Sequence, residues 1–513
     1  MNELLLILAV LCLWLFFKCY WQPWKLHQSY VRHFRNQGYR VLEVPFNPLS
    51  ISTFKYYEFE GKTGDAYGLT KAHYPHHDVV VGNLLTNIFV DLIHPDLNRE
   101  YLSAEKIGFY EKSRVERATF SRISKEGLGF SEGKKWKMKK KILSEVFTFE
   151  FIKSMSQRVA TLCDSSLDSL EGSQGQEPEY DVLDLATHFT GNVLVDCFFG
   201  ENMVNEKIEG KSVFMFAKEL IGDLMLQAYS LSFQILGINF HGLGILQRDR
   251  EINRRIRVFR EWGRPIVRGM IKRIKEQHRR GELGSQPNNL IEAIVRESLK
   301  EKEAPNIYND ENILDEFNSF FTAGVDTTSN YLAMTIYLLA QHPRVEAKVR
   351  EEIAQLMVKE DYSYEHLKQF RYIDCVQKEV TRFFGPGNGN RNRICVQDHE
   401  LKGIPIHKDT YVHNQPIGIH HSDEYYSRPE EFLPERWEDE CKNQAPFQLI
   451  GFSGGPRACI GKQMALLQSK IGLIKFLRRY REIALPGKKM EFILRLTYQP
   501  KNFKSRMVRS QRA

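Results

Sequence analysis

The 513-residue chain is poor in the residues that break or staple a fold. Glycine (34) and proline (19) are sparse and no repeat or low-complexity tract is present, which excludes collagen-like, solenoid and disordered architectures. The eight cysteines (Cys12, Cys19, Cys163, Cys197, Cys375, Cys395, Cys441, Cys459) include no C-x-x-C pair. That spacing argues against a secreted disulfide framework and against a zinc site built on cysteine pairs. Charge of one sign is also lacking: 72 Lys+Arg against 64 Asp+Glu leave +8, far from a nucleic-acid binder's excess. What remains, at 42% hydrophobic and 27% charged residues, is a large packed protein facing a reducing compartment.

Long apolar runs are missing with one exception. Leu4 to Phe17 is an unbroken stretch of 14, followed by Lys18 and the interfacial aromatics Tyr20 and Trp21. It is short against the roughly 20 residues of a usual span. A cleaved signal peptide competes, but Glu3 stands where such a peptide carries a base and no A-x-A-like site follows, so a retained anchor is favoured. Lys18, Lys25, Arg32, Arg35 and Arg40 precede the first acid after the run, Glu43, a positive-inside bias that places the following chain on the cytosolic side. The organisation expected is an anchor at 1–20, a basic linker at 21–40 and one domain at 41–513.

Within that domain the pattern is strand-like from Tyr39 to Pro75 and just beyond, then helical from about Leu102. Between Gln247 and Arg280, Ile252, Ile256, Phe259, Ile266, Met270 and Ile274 mark one or two amphipathic helices. Their opposite face, 13 bases against four acids from Arg248 on, reads as solvated rather than as a polyanion site, because no aromatics interleave. Ile313 to Ala340 is apolar on most faces and stops at His342-Pro343, as a buried helix would. A Gly/Pro/Asn loop (Gly385 to Asn390), short strands to His413, a meander to Pro446 and a helix from about Ile460 to Tyr480 complete the chain. The fold class is mainly α with a small β-sheet subdomain.

Phe452-Ser453-Gly454-Gly455-Pro456-Arg457-Ala458-Cys459-Ile460-Gly461 delivers one cysteine through a glycine-rich turn to a helix start, where free N–H groups favour a thiolate. Gly455 and Gly461 allow a flat group near the backbone, and Arg457 offers paired donors to an anion. Ala323-Gly324-Val325-Asp326-Thr327-Thr328 puts a bare glycine, a carboxylate and hydroxyls inside the apolar helix, which costs stability unless they line a cavity. The alternative there is a threonine bonded back to a carbonyl. Glu379-Val380-Thr381-Arg382 is by itself an ordinary i,i+3 pair.

The decapeptide resembles the haem-binding signature F-x-x-G-x-R-x-C-x-G of the cytochrome P450 superfamily at every fixed position. The other two segments resemble its oxygen-activation and E-x-x-R motifs, in the family's order, and Pro434-Glu435-Arg436-Trp437 resembles its P-E-R-F segment with Trp for Phe. The resemblance implies the P450 fold, with haem b between the buried helix and the loop of Cys459, the axial ligand to iron. It implies Phe452, Gly455, Gly461, Ala323 and Gly324 around the haem, and Arg457, Arg393, Trp136 and Lys140 toward its propionates. Lys140 replaces the family's Arg and can supply only a point charge. Asp326 and Thr327 would relay protons to O2, and Glu379, Arg382 and Arg436 would form a structural triad. Phe383-Phe384-Gly385-Pro386 departs from the family's Pro-Pro exit.

The function implied is a monooxygenase of the endoplasmic reticulum membrane, catalytic domain in the cytosol, oxidising a hydrophobic small molecule. Its electrons would come from NADPH through a membrane-bound flavoprotein reductase, with cytochrome b5 as an optional second donor, and no nucleic acid is involved. The Lys134, Lys135, Lys137, Lys139, Lys140 and Lys141 cluster is expected to dock that reductase. A haem-thiolate isomerase or dehydratase, working on peroxides without a reductase, and a non-catalytic haem sensor are the alternatives. Substrate contacts are expected around Phe109–Phe130, Phe214–Phe240, Phe317, Phe320 and Phe321, after Phe384 and near Tyr498. His413, His420 and His421 read as solvated loop residues rather than metal ligands.

Overall fold

A computed structural model describes residues 2–48, 74–103, 105–171, 179–228, 230–300, 308–388, 391–440, 446–484, 491–494, 497–501 and 503–509. They group into two compact units, Met1–Glu116 with Gly387–Glu431 and Asn443–Ala458, and Arg117–Pro386 with Phe432–Lys442 and Cys459–Ala513. The strand-like Ile51–Phe59 segment and Cys441 lie outside the described residues.

The first unit is a sheet against a helix. Six strands lie in the order Val41–Glu43, Val79–Leu84, Asn87–Leu92, Tyr411–Asn414, Arg391–Cys395, Tyr110–Lys112. Val41 pairs with Val79 in parallel, Val79 with Leu92 antiparallel, and Tyr110 with Cys395 antiparallel. Residues 21–40, expected as a linker, are instead mostly helix. Asn2–Phe16 continues through a π-helical turn at Phe17–Trp21 into Gln22–Asn36. His27, Tyr30, Val31 and Phe34 recur at helical spacing and are buried, with Val79, Val81, Val90 and Val412 in the same core as the last three. Lys25, Arg32 and Arg35 occupy the exposed side, so the charges that suggested a linker are one face of an amphipathic helix. The apolar N-terminal helix is long and apolar enough to cross a membrane by length and composition.

The three histidines are not solvated. His413 is buried with Nδ1 2.7 Å from Asp91 Oδ1, His420 Nε2 accepts the Ile450 N–H at 3.2 Å, and buried His421 lies 3.1 Å from Glu430. A strand and the short helix Pro416–His420 carry them into the sheet's core, which polar neighbours in the sequence concealed.

The second unit is mainly helical, built around Asp310–Gln341. Asn309 caps its start, the side chain accepting the Asn312 N–H at 2.8 Å, and Pro343 lies beyond its end. The helices Val182–Leu194, Val213–Ala228, Gln247–Arg279 and Lys462–Arg479 pack on it. Gln247–Arg279 is a single helix, continuous through Pro265. Small sheets complete the unit: Glu179–Asp181 with Lys504–Arg509 and Tyr480–Ala484, and the hairpin Glu491–Leu494 with Tyr498–Lys501. The fold is that of the expected class, mainly α with minor β.

Candidate active site

The buried helix opens on one face. Phe320, Ala323, Gly324 and Thr327 recur at i, i+3, i+4 and i+7; Ala323 is exposed and the other three are partly so, whereas Phe321, Thr322, Val325, Asp326 and Thr328 are buried. These four residues form an accessible stripe on a helix whose other faces are enclosed along this stretch. Gly324 fits tightly against Leu194, whose Cδ1 would lie 3.0 Å from an added Cβ. Thr327 Oγ1 donates to the Ala323 carbonyl at 2.8 Å, the back-bond that the sequence left open as an alternative.

Asp326, one residue earlier, is turned the other way. Its carboxylate accepts from Thr497 Oγ1 at 2.8 Å and Asn330 Nδ2 at 3.4 Å, and lies 3.5 Å from Lys218 Nζ. Lys218, itself buried, also donates to Ser329 and Asn330 at 2.8 and 2.7 Å. The structure therefore does not bring Asp326 and Thr327 onto one face. Similarly, Phe317 and Phe321, expected at a substrate, are fully buried among Phe259 and Trp262; only Phe320 of the three reaches the open face.

Cys459 stands just ahead of the Lys462–Arg479 helix, whose N-cap is Gly461. Its thiol is exposed, and a Cβ on Gly461 would only reach 4.0 Å from Sγ. Cys163, Cys197, Cys375 and Cys395 are buried; burial pushes the Cys163 thiol up, the Cys197 thiol to about 12 and the Cys395 thiol to about 11. Outside the N-terminal helix, Cys459 is the accessible thiol among the described residues.

The residues that precede it belong to the first unit. Ser453 and Gly455 take φ of +60° and +64°, and a Cβ on Gly455 would fall 1.8 Å from the Leu102 carbonyl oxygen, so only glycine fits this turn. Phe452 and Arg457 are partly buried beside it. In the same unit Arg393 is buried in its strand, with Nη1 lacking a hydrogen-bond partner among the described residues.

In the second unit Trp136 is buried and Lys140 Nζ sits 5.4 Å from the centre of its ring. The lysine cluster is not wholly a surface feature: Lys139 is fully buried, paired at 2.7 Å with fully buried Glu316 of the long helix. Sequence reasoning missed this pair. A carboxylate in an apolar helix, one turn before Phe320, was the signal that a buried base must exist.

Glu379, Arg382 and Arg436 do meet. Glu379 accepts two hydrogen bonds from Arg382 at 2.9 and 2.7 Å, one from Arg436 Nε at 3.2 Å and one from the Leu433 N–H at 2.9 Å. Trp437 Nε1 donates to it as well, at 2.9 Å, a use of tryptophan that phenylalanine could not make.

Residues 57–507 match the cytochrome P450 family. This chain belongs to that family. Cytochrome P450 3A13 of Mus musculus is 28% identical over 382 residues, 74% of this chain and 73% of the relative. Cytochrome P450 CYP72A616 of Paris polyphylla is 28% identical over 80% of this chain and 78% of the relative, and secologanin synthase 1 of Catharanthus roseus 27% over 80% and 77%. As a cytochrome P450 the protein is an oxidoreductase of the haem-thiolate monooxygenase class.

Proposed function

We propose that this cytochrome P450 inserts one atom of O2 into a hydrophobic organic substrate, with Cys459 as the residue whose thiolate would hold the iron of haem b. The observation that carries the reading is the accessible Cys459 thiol ahead of a helix start, where the other described cysteines beyond the N-terminal Asn2–Trp21 segment are buried. The residues fit the group: the open stripe of Ala323, Gly324 and Thr327 offers a flat wall, Gly461 leaves the thiol clear, and Arg393 carries a buried donor without a partner among the described residues. When bound, the haem supplies O2 binding and its reductive activation, favoured by the thiolate ligand.

The chain's own residues do the rest. Arg457, Arg393, Trp136 and Lys140 would hold the propionates, Lys140 as a point charge. Thr327 Oγ1, its proton committed to the Ala323 carbonyl, presents its lone pairs to the open face and there accepts a hydrogen bond from a proton-bearing water. Asp326 acts through Lys218 and Thr497 as a positioning residue. Glu379, Arg382, Arg436 and Trp437 brace the scaffold. The apolar N-terminal helix anchors the chain in the endoplasmic reticulum membrane with the catalytic part in the cytosol. NADPH electrons arrive through a membrane-bound flavoprotein reductase, with cytochrome b5 as a second donor.

Cys459→Ala decides the assignment. The variant should hold little haem and lose the thiolate-type absorbance of the reduced carbon monoxide complex; a normal thiolate spectrum would refute it. Turnover of a peroxide with no reductase present would favour the isomerase alternative.

A further inference from the structure

The loop between the helices Arg114–Phe120 and Gly133–Leu143 is bound to the long helix through two neighbouring carboxylates. Asp315 Oδ2 accepts the Glu126 N–H at 3.1 Å, and its carbonyl accepts the Ser124 hydroxyl at 2.7 Å. Glu316 Oε2 accepts the Leu128 N–H at 2.8 Å, while Oε1 receives Lys139 Nζ at 2.7 Å. The same ammonium also donates to the Glu126 carbonyl, so Lys139 holds loop and helix at once. Asp315, Glu316, Lys139 and Ser124 are all buried. The fit is close: a Cβ on Gly127 would lie 2.2 Å from Ser124 Oγ and 2.6 Å from Ser319 Cβ.

Glu316 precedes Phe320, Ala323 and Thr327 by four, seven and eleven residues, so it belongs to the face that opens further along the helix. The loop therefore packs on that side of the helix about one turn ahead of the open stripe. Its C-terminal end carries Phe130, whose ring stacks on Phe120 at 5.1 Å beside Ile221 and Met225. The clasp is polar and buried, whereas the surface it closes over is apolar.

We infer that Asp315 and Glu316, with Lys139, are positioning residues that hold the 123–131 loop shut over the open face and so set which ligands enter by size. This rests on the haem-thiolate reading for the nature of the enclosed space, but the clasp itself does not. Bulky ligands must wait for the loop to open; small ones need not. Burial raises the Glu316 carboxyl above its ordinary range, opposed by Lys139 and by the Leu128 N–H, so the clasp's charge depends on the partners it holds.

Two variants of the full-length haem-loaded protein test this. Lys139→Met/Glu316→Leu removes both buried charges together, leaving neither alone. Gly127→Ala lifts the loop sterically and keeps every charge. Hydrogen exchange of the Glu126 and Leu128 amides should quicken about tenfold in each, the factor that corresponds to about 1.4 kcal/mol lost from charge-assisted bonds. The on-rate of 1-dodecylimidazole, read by its absorbance shift, should rise similarly, with that of imidazole itself unchanged. Unaltered exchange, or on-rates that rise equally for both ligands, in either variant would overturn the proposal, and Gly127→Ala carries the test by itself if the double variant does not fold. If neither ligand shifts the wild-type spectrum, the haem reading fails while the exchange measurement still judges the clasp.

Discussion

Asp326 and Thr327 are neighbours with opposite surroundings, because one residue along a helix is a turn of about 100°. The carboxylate meets a buried lysine and the hydroxyl meets open space. Removing the carboxylate alone strands the Lys218 ammonium, so Asp326→Ala should cost about 3–5 kcal/mol in denaturant unfolding. Lys218→Met/Asp326→Leu should recover most of that loss; a double variant as unstable as the single would show that the ion pair is not the cause. Thr327→Ala deletes one local back-bond and should cost no more than about 1 kcal/mol. Its effect belongs to turnover: product formed per NADPH consumed should fall while hydrogen peroxide rises. An unchanged ratio would remove this hydroxyl from proton delivery. The sequence marked both residues as out of place in an apolar helix. It could not tell their facing apart, since Lys218 and Thr497 reach Asp326 from distant parts of the chain.

Among elements, the helix Gln22–Asn36 has the most direct consequence for how the protein can be cut. Tyr30, Val31 and Phe34 are core residues of the first unit, and losing a buried aromatic costs about 3–5 kcal/mol. Deletion of residues 1–21 should leave the haem spectrum intact while much of the protein leaves the membrane fraction. Deletion of residues 1–36 should yield no stable haem protein. Equal thermal melting of the two truncations would contradict the packing. The long helix was readable because it is apolar almost all round, and the Cys459 segment because glycine, arginine and cysteine occur at fixed spacing. The Gln22–Asn36 helix was not, because Lys25, Arg32 and Arg35 mask the short buried stripe of His27, Tyr30, Val31 and Phe34. Nor was the sheet order: Tyr110–Lys112 pairs with Arg391–Cys395, and alternation within a strand carries no information about so remote a partner.

For the molecule as a whole, the mild net charge of +8 matters less than where bases remain exposed. Lys134, Lys137 and Lys141 face solvent, but Lys139 is committed to Glu316 and Lys135 to Glu126. An acidic reductase docking there would meet a smaller patch than the sequence suggested. First-electron transfer should slow as salt rises from about 0.01 to about 1 M, over which the screening length falls from about 30 to about 3 Å. Lys137→Glu should slow it further at low salt. A rate indifferent to both would place the docking surface elsewhere. These separations between exposed and buried bases, like the Asp315–Glu316 clasp, depend on contacts between segments far apart in sequence, which periodicity alone does not reveal.

The unbroken passage from Asn2–Phe16 through the π turn into Gln22–Asn36 gives the N-terminus a rotational phase. A flexible tether would leave the packed part free to swivel about the apolar half, but a helical shaft fixes the azimuth between its two ends. A π turn is in effect one residue inserted into an α-helix. Removing a single residue from Phe17–Trp21 would therefore turn the apolar half by about 100° about their common axis and shorten the shaft by about 1.5 Å. The residue count of that junction is thus an orientation setting, and a flexible Gly/Ser insertion there would erase it without altering either half.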